Sequence, residues 1–265
     1  MLEFYVLASG SKGNAILVYN GQHYLQIDCG MTKKYLLASY KQLHISLNDI
    51  SALLITHRHS DHIAQIKTFK HHDIYSLCNL EDKCEATKII PYKKNNIAGF
   101  EVIALPLSHD SLDTIGFVIK SGGKKLVYIT DTGYVKEAYL PLLDSADYII
   151  LEANHDLPLL MKSKRPLYLK QRIASDTGHL CNQASADILE KIVGKQTRLV
   201  CLAHLSEECN KPEIALSTVV SKLSKQPLKD LRVVVLQQNR VFYGGENEEL
   251  NLGINSDAFY MEYFD

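Results

Sequence analysis

The 265-residue sequence predicts a mixed α/β fold with two stacked sheets, and three observations point there. Ten short apolar runs rich in β-branched residues recur between turn signals, as strands do. Five intervening segments carry apolar residues at three-to-four spacing, as amphipathic helices do. Finally, "GQHYLQIDCG" (21–30) and "GGKKLVYITDTG" (122–133) echo one another. Each has a glycine turn, an apolar strand, and an Asp followed by a small residue and Gly, which suggests two halves that each build a sheet.

In chain order the expected strands are "FYVLAS" (4–9), "AILVYN" (15–20), "HYLQID" (23–28), "ALLIT" (52–56) and "FEVIALP" (100–106). They continue with "TIGFVIK" (114–120), "KLVYIT" (125–130), "DYIILEA" (147–153), "RLVCLAH" (198–204) and "LRVVVLQQ" (231–238). Several are apolar almost throughout, as when both faces of a sheet are covered. Helices are expected over about 33–43, 61–69, 134–143, 182–193 and 212–223. No Pro- or Ser-rich linker interrupts the chain, so residues 1–265 read as one domain. The acidic tail from about 246 to 265 ends in aromatics and reads either as a mobile end or as a docking strap.

Composition narrows the function classes. Apolar residues make up 46% and charged residues 22%, enough for a sizeable core, and the formal net charge of −1 supplies no global field for nucleic acid. A polyanionic partner would need a local basic strip. The six cysteines lack any Cys-x-x-Cys pair, which indicates reduced thiols in a cytoplasmic protein. The start, "MLEFYVLASG", has no basic n-region, and no run approaches the ~18 apolar residues of a membrane span.

The chemistry concentrates in "LLITHRHSDHIAQI" (53–66). Alternate residues of an extended segment share a face, so His57 and His59 point the same way as they leave the strand. Ser60 is the expected N-cap, which puts Asp61 and His62 in the first turn of a helix carrying Ile63, Ile66 and Phe69. Imidazole and carboxylate donors suit zinc, manganese or iron, and a cluster without Cys is unlike a closed structural zinc site. The bland alternative is a solvated histidine-rich turn.

The His-x-His-x-Asp-His pattern resembles that of the metallo-β-lactamase fold, a four-layer αββα sandwich. The resemblance implies that later strand ends supply a third His, a bridging Asp and a last His, and the chain offers His109 in "LPLSHD", Asp131 in "YITDTG" and His204 in "VCLAHLS". It further implies two divalent ions, Zn2+ or Mn2+. One would take His57, His59 and His109; the other would take Asp61, His62 and His204; Asp131 would bridge. Water between two such ions, about 3.5–4 Å apart, ionises near neutral pH and attacks without a covalent intermediate. Asp28 resembles the early Asp of the fold that shapes the site without binding metal.

Five stretches resemble one family, the bacterial YycJ, WalJ or VicX exonucleases: "LASGSKGNAILV", "THRHSDHIAQI", "PLSHD" with "DTIGFVI", "LEANHD" with "LYLKQRIASDTGHLCN", and "LAHLSEECN". They extend from residue 7 to about 210, with a mild departure at Cys209, where Asn would be expected. The resemblance implies removal of nucleotides from the 5′ end of DNA. Residues 162–172 hold Lys162, Lys164, Arg165, Lys170 and Arg172 around Tyr168, which would suit phosphates and a stacked base, or would equally suit a solvated helix face. His179, where a loop enters a helix, is assigned to the scissile phosphate or leaving oxygen, beside Asp61 and Asp131 as catalytic candidates. His155 would contact phosphate, back up a ligand, or make a structural hydrogen bond. In "SGSKGN", Ser9, Ser11 and Asn14 are phosphate-contact candidates, although a tight hairpin loop explains the segment alone; its spacing excludes a P-loop. The metal set by itself leaves rivals open: a small-molecule phosphodiesterase, a thioester or lactam hydrolase, or a non-enzymatic regulator.

Overall fold

Two sheets face one another in the computed structural model, which describes residues 1–246 and 260–264. The first sheet contains β1 (Glu3–Ala8), β2 (Ala15–Tyr19), β3 (Tyr24–Ile27), β4 (Ile50–Ile55), β5 (Asp73–Ser76), β6 (Thr87–Lys88) and β14 (Phe242–Gly244), in the order β14-β1-β2-β3-β4-β5-β6. The second contains β7 (Lys94–Ile97), β8 (Phe100–Pro106), β9 (Ile115–Ser121), β10 (Lys124–Ile129), β11 (Tyr148–Glu152), β12 (Leu199–Ala203), β13 (Leu231–Val235) and β15 (Tyr260–Phe264). Its order is β15-β13-β12-β11-β10-β9-β8-β7. The runs β3-β4-β5 and β10-β11-β12-β13 are parallel, so their carboxyl ends share one edge in each sheet.

Side-chain alternation makes the layers. Phe4 and Val6 of β1 point into a core shared with Phe100, Phe117, Tyr128 and Ile150 of the second sheet. Leu7, one step out of phase, packs instead with Leu36 and Tyr40 of α1 (Lys33–Gln42). On β11 the same alternation sends Ile150 inward and Ile149 and Leu151 outward, toward Leu189 and Ile192 of α6 (Asn182–Ile192) and Val219 of α7 (Pro212–Leu223). The result is the αββα sandwich, and it explains why these strands are apolar on both faces.

All ten expected strands form. The additional strands β5, β6, β7 and β14 are two to four residues long, too short for periodicity to mark them. The helix expected over 61–69 needs correcting: α2 spans only Ser60–Ile63, with His59 and not Ser60 at the N-cap, and a 3-10 turn over Ile66–Phe69 follows. Tertiary bonds end it. The carbonyls of Asp61 and His62 accept from Asn14 N and Cys29 N, and Gln65 N donates to Cys29 O, so the helical ladder has nothing left to extend. Over 134–143 only a 3-10 turn at Glu137–Tyr139 and α3 (Leu140–Leu143) form.

Two helices were not marked by periodicity: α4 (Leu157–Lys162), capped by the Asp156 side chain, and α5 (Leu167–Ile173), which follows Pro166. Residues 247–259 and 265 of the acidic tail lie outside the described residues. Its last strand, β15, pairs antiparallel with β13, and Phe264 packs on the second sheet's outer core. Among the described residues no helix is long and apolar enough to cross a membrane.

Candidate metal centre

The strand ends of both sheets bring the sequence-predicted donors together. Just past β4, which ends at Ile55, His57 and His59 meet His109, and the three place one donor atom each within 4.8 Å of one another. Asp61, His62 and His204 form a second such group, and Asp131 joins a third with His57 and His62. Asp131 Oδ2 lies 3.3 Å from His62 Nε2, and its Oδ1 lies 3.5 Å from His204 Nε2 and 3.9 Å from His109 Nε2. It therefore stands between the two histidine groups.

Backbone conformation aims three of these side chains. Asp28, Asp131 and His204 each follow a strand and each adopt positive φ, at 54°, 58° and 54°. Non-glycine residues in this region are strained, and Asp and His are among those that tolerate it. The strain turns each chain sharply at the sheet edge. Ser9 fixes the turn at His204, since its Oγ accepts from His204 N at 2.8 Å.

Hydrogen bonds on the far side of each ring determine which nitrogen is free. His62 Nδ1 donates to Asp28 Oδ2 at 2.7 Å, so Asp28 orients a donor and is itself fully buried. Thr56 gives its hydroxyl proton to Asp28 at 2.8 Å, and its oxygen then accepts from His57 Nδ1 at 3.1 Å. His109 Nδ1 donates to Gly178 O at 3.2 Å. His204 Nδ1 and His179 Nδ1 both donate to Glu152 Oε1, at 2.9 and 2.7 Å. Each ring thus presents Nε2, and fixed tautomers of this kind are how metal-binding histidines are held.

Glu152, the buried end of β11, escaped the sequence reading although "LEANHD" was singled out. Its second oxygen accepts from Thr132 N at 3.0 Å and Leu180 N at 3.3 Å, so one carboxylate orients two imidazoles and ties two loops. It also joins Asp131, His179 and His204 in a fourth group of converging donors.

Electrostatics matches this reading. Burial pushes His57 down to about 2, with His62 adding to the effect, so its ring is neutral. Burial favours neutral Glu152, but His179 and His204 outweigh it and hold the carboxyl down to about 2. His204 is raised to about 10 against burial, by Asp131, Asp61 and Glu152. Burial likewise opposes ionisation of Asp131, yet His204 and His62 hold it well below the usual carboxylate range. Buried anions here attract protons, and divalent cations compete for the same positions. His57 Nε2, His204 Nε2 and Asp131 Oδ2 are buried without any hydrogen-bond partner, as ligand atoms of a divalent metal would be. The donor set fits such ions.

The remaining candidates divide. Ser11 and Arg172 line a cavity of about 120 Å³ with His109, Asp110, Arg165 and His179. Asn14 is buried; it brackets Gly10 and reaches His62 Nε2 at 3.1 Å, so it braces the donors. Lys170 donates to Met161 O at 2.6 Å across the α4–α5 turn. His155 is buried with both ring nitrogens unpartnered, outside every donor group; only its backbone bridges, to Cys181. Burial pushes its ring down to about 4. Cys209 is buried, and its neighbour Asn210 donates to Ala153 O at 2.9 Å.

Comparison with known proteins accords with this geometry. Residues 23–204 match the family model of the beta-lactamase superfamily domain. Exodeoxyribonuclease YycJ of Bacillus anthracis is 32% identical over 238 residues, covering 85% of this chain and 90% of that protein. Exodeoxyribonuclease WalJ of Streptococcus pneumoniae is 30% identical over 241 residues, with the same coverage. The crystal structure of the metallo-beta-lactamase fold protein YhfI from Bacillus subtilis superposes with a TM-score of 0.71 at 17% identity, over 92% of this chain and 99% of that one. With its sheets, its strand-end donors and its relatives in agreement, the chain belongs to the metallo-β-lactamase superfamily and, within it, to the family of the YycJ and WalJ exodeoxyribonucleases.

Proposed function

We propose that this protein is a metal-dependent exodeoxyribonuclease that removes nucleotides from the 5′ end of DNA. The observation that carries the reading is a converging His/Asp donor set in a chain about one-third identical to exodeoxyribonucleases along most of its length. In this reading His57, His59 and His109 would hold one divalent cation, Asp61, His62 and His204 a second, and Asp131, which lies beside both groups, would serve both; Zn2+ and Mn2+ suit these donors. Bound cations supply Lewis-acid polarisation of the phosphodiester and activation of water near neutral pH.

The chain's own groups do the rest. Glu152 keeps His204 and His179 in one tautomer. It also shifts the pKa of His179 upward against the effect of burial, which favours the protonated ring. Its Nε2 is then a donor to a phosphate or leaving oxygen, the general-acid role. Along α4, α5 and the turn between them, Lys162, Lys164 and Lys170 suit successive phosphates, and Tyr168, 72% exposed, suits a stacked base. DNA as substrate, 5′-to-3′ polarity and a cytoplasmic setting belong to the same proposal; the free state of all six cysteines supports the last.

The test is timed digestion of 5′- and 3′-labelled single- and double-stranded DNA, with RNA and cyclic or phospho-sugar diesters alongside and Asp131→Ala as control. Early mononucleotide release from the 5′ label and loss of both metal and activity in Asp131→Ala are expected. Early release from the 3′ label overturns the polarity. Normal turnover with full metal content in Asp131→Ala overturns the role of that residue, and cleavage of small diesters alone overturns the substrate.

A further inference from the structure

Two arginines of the α4–α5 arm behave unlike its lysines. Arg165 and Arg172 line the cavity shared with His109 and His179, and each is held by a carboxylate from a different loop. Arg172 Nε and Nη2 both donate to Asp110 Oδ2, and Arg165 Nη2 lies 3.0 Å from Glu208. Asp110 directly follows His109, and Glu208 lies four residues after His204. Each loop therefore delivers one histidine to the donor cluster and one carboxylate to the arm. Asp110 Oδ1 also lies 3.2 Å from His109 Nε2 and 3.6 Å from His59 Nε2, between the arm and the donors. Arg165 Nε is buried in this region with no partner, a donor still lacking an acceptor.

We propose that Arg165 and Arg172 form a phosphate clamp kept in store by Asp110 and Glu208, and that a DNA phosphate entering the cavity takes the place of these carboxylates. The proposal rests on the nuclease reading and deepens it by naming the residues that grip the strand next to the reacting bond. The chemistry favours exchange. Arg172 is half exposed, and an exposed ion pair is weak, so little holds it against a competitor. A phosphodiester offers the guanidinium two non-bridging oxygens and so a two-point contact, where Asp110 gives Arg172 a single oxygen. Asp110 and Glu208 also keep the empty cavity from presenting two uncompensated cations to unrelated anions. Until a phosphate arrives, the arm is tied to both histidine loops; once it arrives, those ties pass through the substrate.

The test measures binding, not turnover. The full-length protein as purified is titrated into a fluorescent, 5′-phosphorylated single strand whose phosphorothioate linkages resist cleavage, and anisotropy is followed. Arg165→Ala and Arg172→Ala are each expected to weaken binding about tenfold. Asp110→Asn is expected to tighten binding several-fold in the wild-type chain and to change nothing in the Arg172→Ala chain. Glu208→Gln, at a residue outside every group of converging donors, is expected to do the same through Arg165. If Asp110→Asn and Glu208→Gln tighten the arginine-less chains as much as the parent, the carboxylates act only as general negative charge and the proposal falls. It falls too if neither arginine variant alters binding. Inorganic pyrophosphate, followed by calorimetry, separates the two readings. If the strand is not bound but pyrophosphate is, with the same arginine and carboxylate dependence, the clamp stands and the DNA reading fails.

Discussion

Single residues show how a donor cluster is made selective. Every imidazole at the centre except that of His59 gives one ring proton to a fixed acceptor, and Glu152 serves two of them at once. Replacing it with Gln preserves volume but offers an amide where two N–H groups expect a carboxylate. Glu152→Gln should lower metal affinity or turnover about 10- to 100-fold, the range found when such supporting partners are lost; metal analysis beside steady-state kinetics measures both, and a variant normal in each refutes the assignment. His179→Ala should separate the two quantities. Its ring orients no donor, so metal content should stay at the wild-type level while kcat falls about 100- to 10,000-fold. Unchanged turnover with metal retained would remove His179 from proton transfer. The contrast also explains what the sequence could reveal. His57, His59, Asp61 and His62 are legible because four donor residues lie within six positions, and His109, Asp131 and His204 because each ends an apolar run. Glu152 ends one too, in "YIILEA", but a single acid at a strand terminus is ordinarily solvated. What distinguishes it is the approach of Thr132, His179, Leu180 and His204 from three other places in the chain, which no local pattern encodes.

Elements were legible in proportion to how far local pattern decided them. The strands β1, β10, β11 and β12 announce themselves because both faces are largely buried and apolar residues dominate them. The echo between 21–30 and 122–133 proves geometric as well, since Asp28 and Asp131 both end a strand at positive φ. The helix at 61–69 fails at Ala64 because Asn14 and Cys29 claim its carbonyls, a contact between segments about fifty and thirty-five residues apart. The α4–α5 arm is legible in the sequence as a basic strip around Tyr168 or a solvated helix face, but not as two helices; these begin beside prolines and leave Met161, Leu167 and Tyr168 exposed. Three exposed apolar side chains among lysines make poor solvated surface and a good platform for unstacked bases. Tyr168→Ala should therefore raise KM for single-stranded DNA about tenfold, as loss of a stacking contact does, with kcat little changed. Cleavage at substrate levels below KM should also fall steeply with added salt as phosphate contacts are screened. A rate flat across the salt range would remove the arm from DNA binding.

At the scale of the molecule, the centre is where the two sheets meet in chemistry as well as in packing. His57, His59, Asp61 and His62 come from the first sheet's edge, and His109, Asp131, Glu152, His179 and His204 come from the second. Between them lies the shared apolar core of Phe4, Phe100, Phe117 and Tyr128, which sets the separation of the edges. Cations bound at that seam would connect residues from position 57 to position 204, a stretch that contains most of the second sheet's strands. Any ligand that binds the folded chain and not the unfolded one stabilises it, by about 2.7 kcal/mol when present at a hundred times its dissociation constant. For a chain of this size that corresponds to a rise in Tm of about 5–10 °C. Calorimetric scans of the protein as purified and after exhaustive chelation should differ by roughly that amount. Asp131→Ala, lacking the carboxylate that stands between both groups, should unfold at nearly the same temperature with or without chelator. The size of the wild-type shift measures how firmly the metals join the sheets, and its loss in Asp131→Ala assigns that firmness to the centre. An equal shift in both proteins would mean that the chelator acts elsewhere, and the seam would then owe its stability to the apolar core alone.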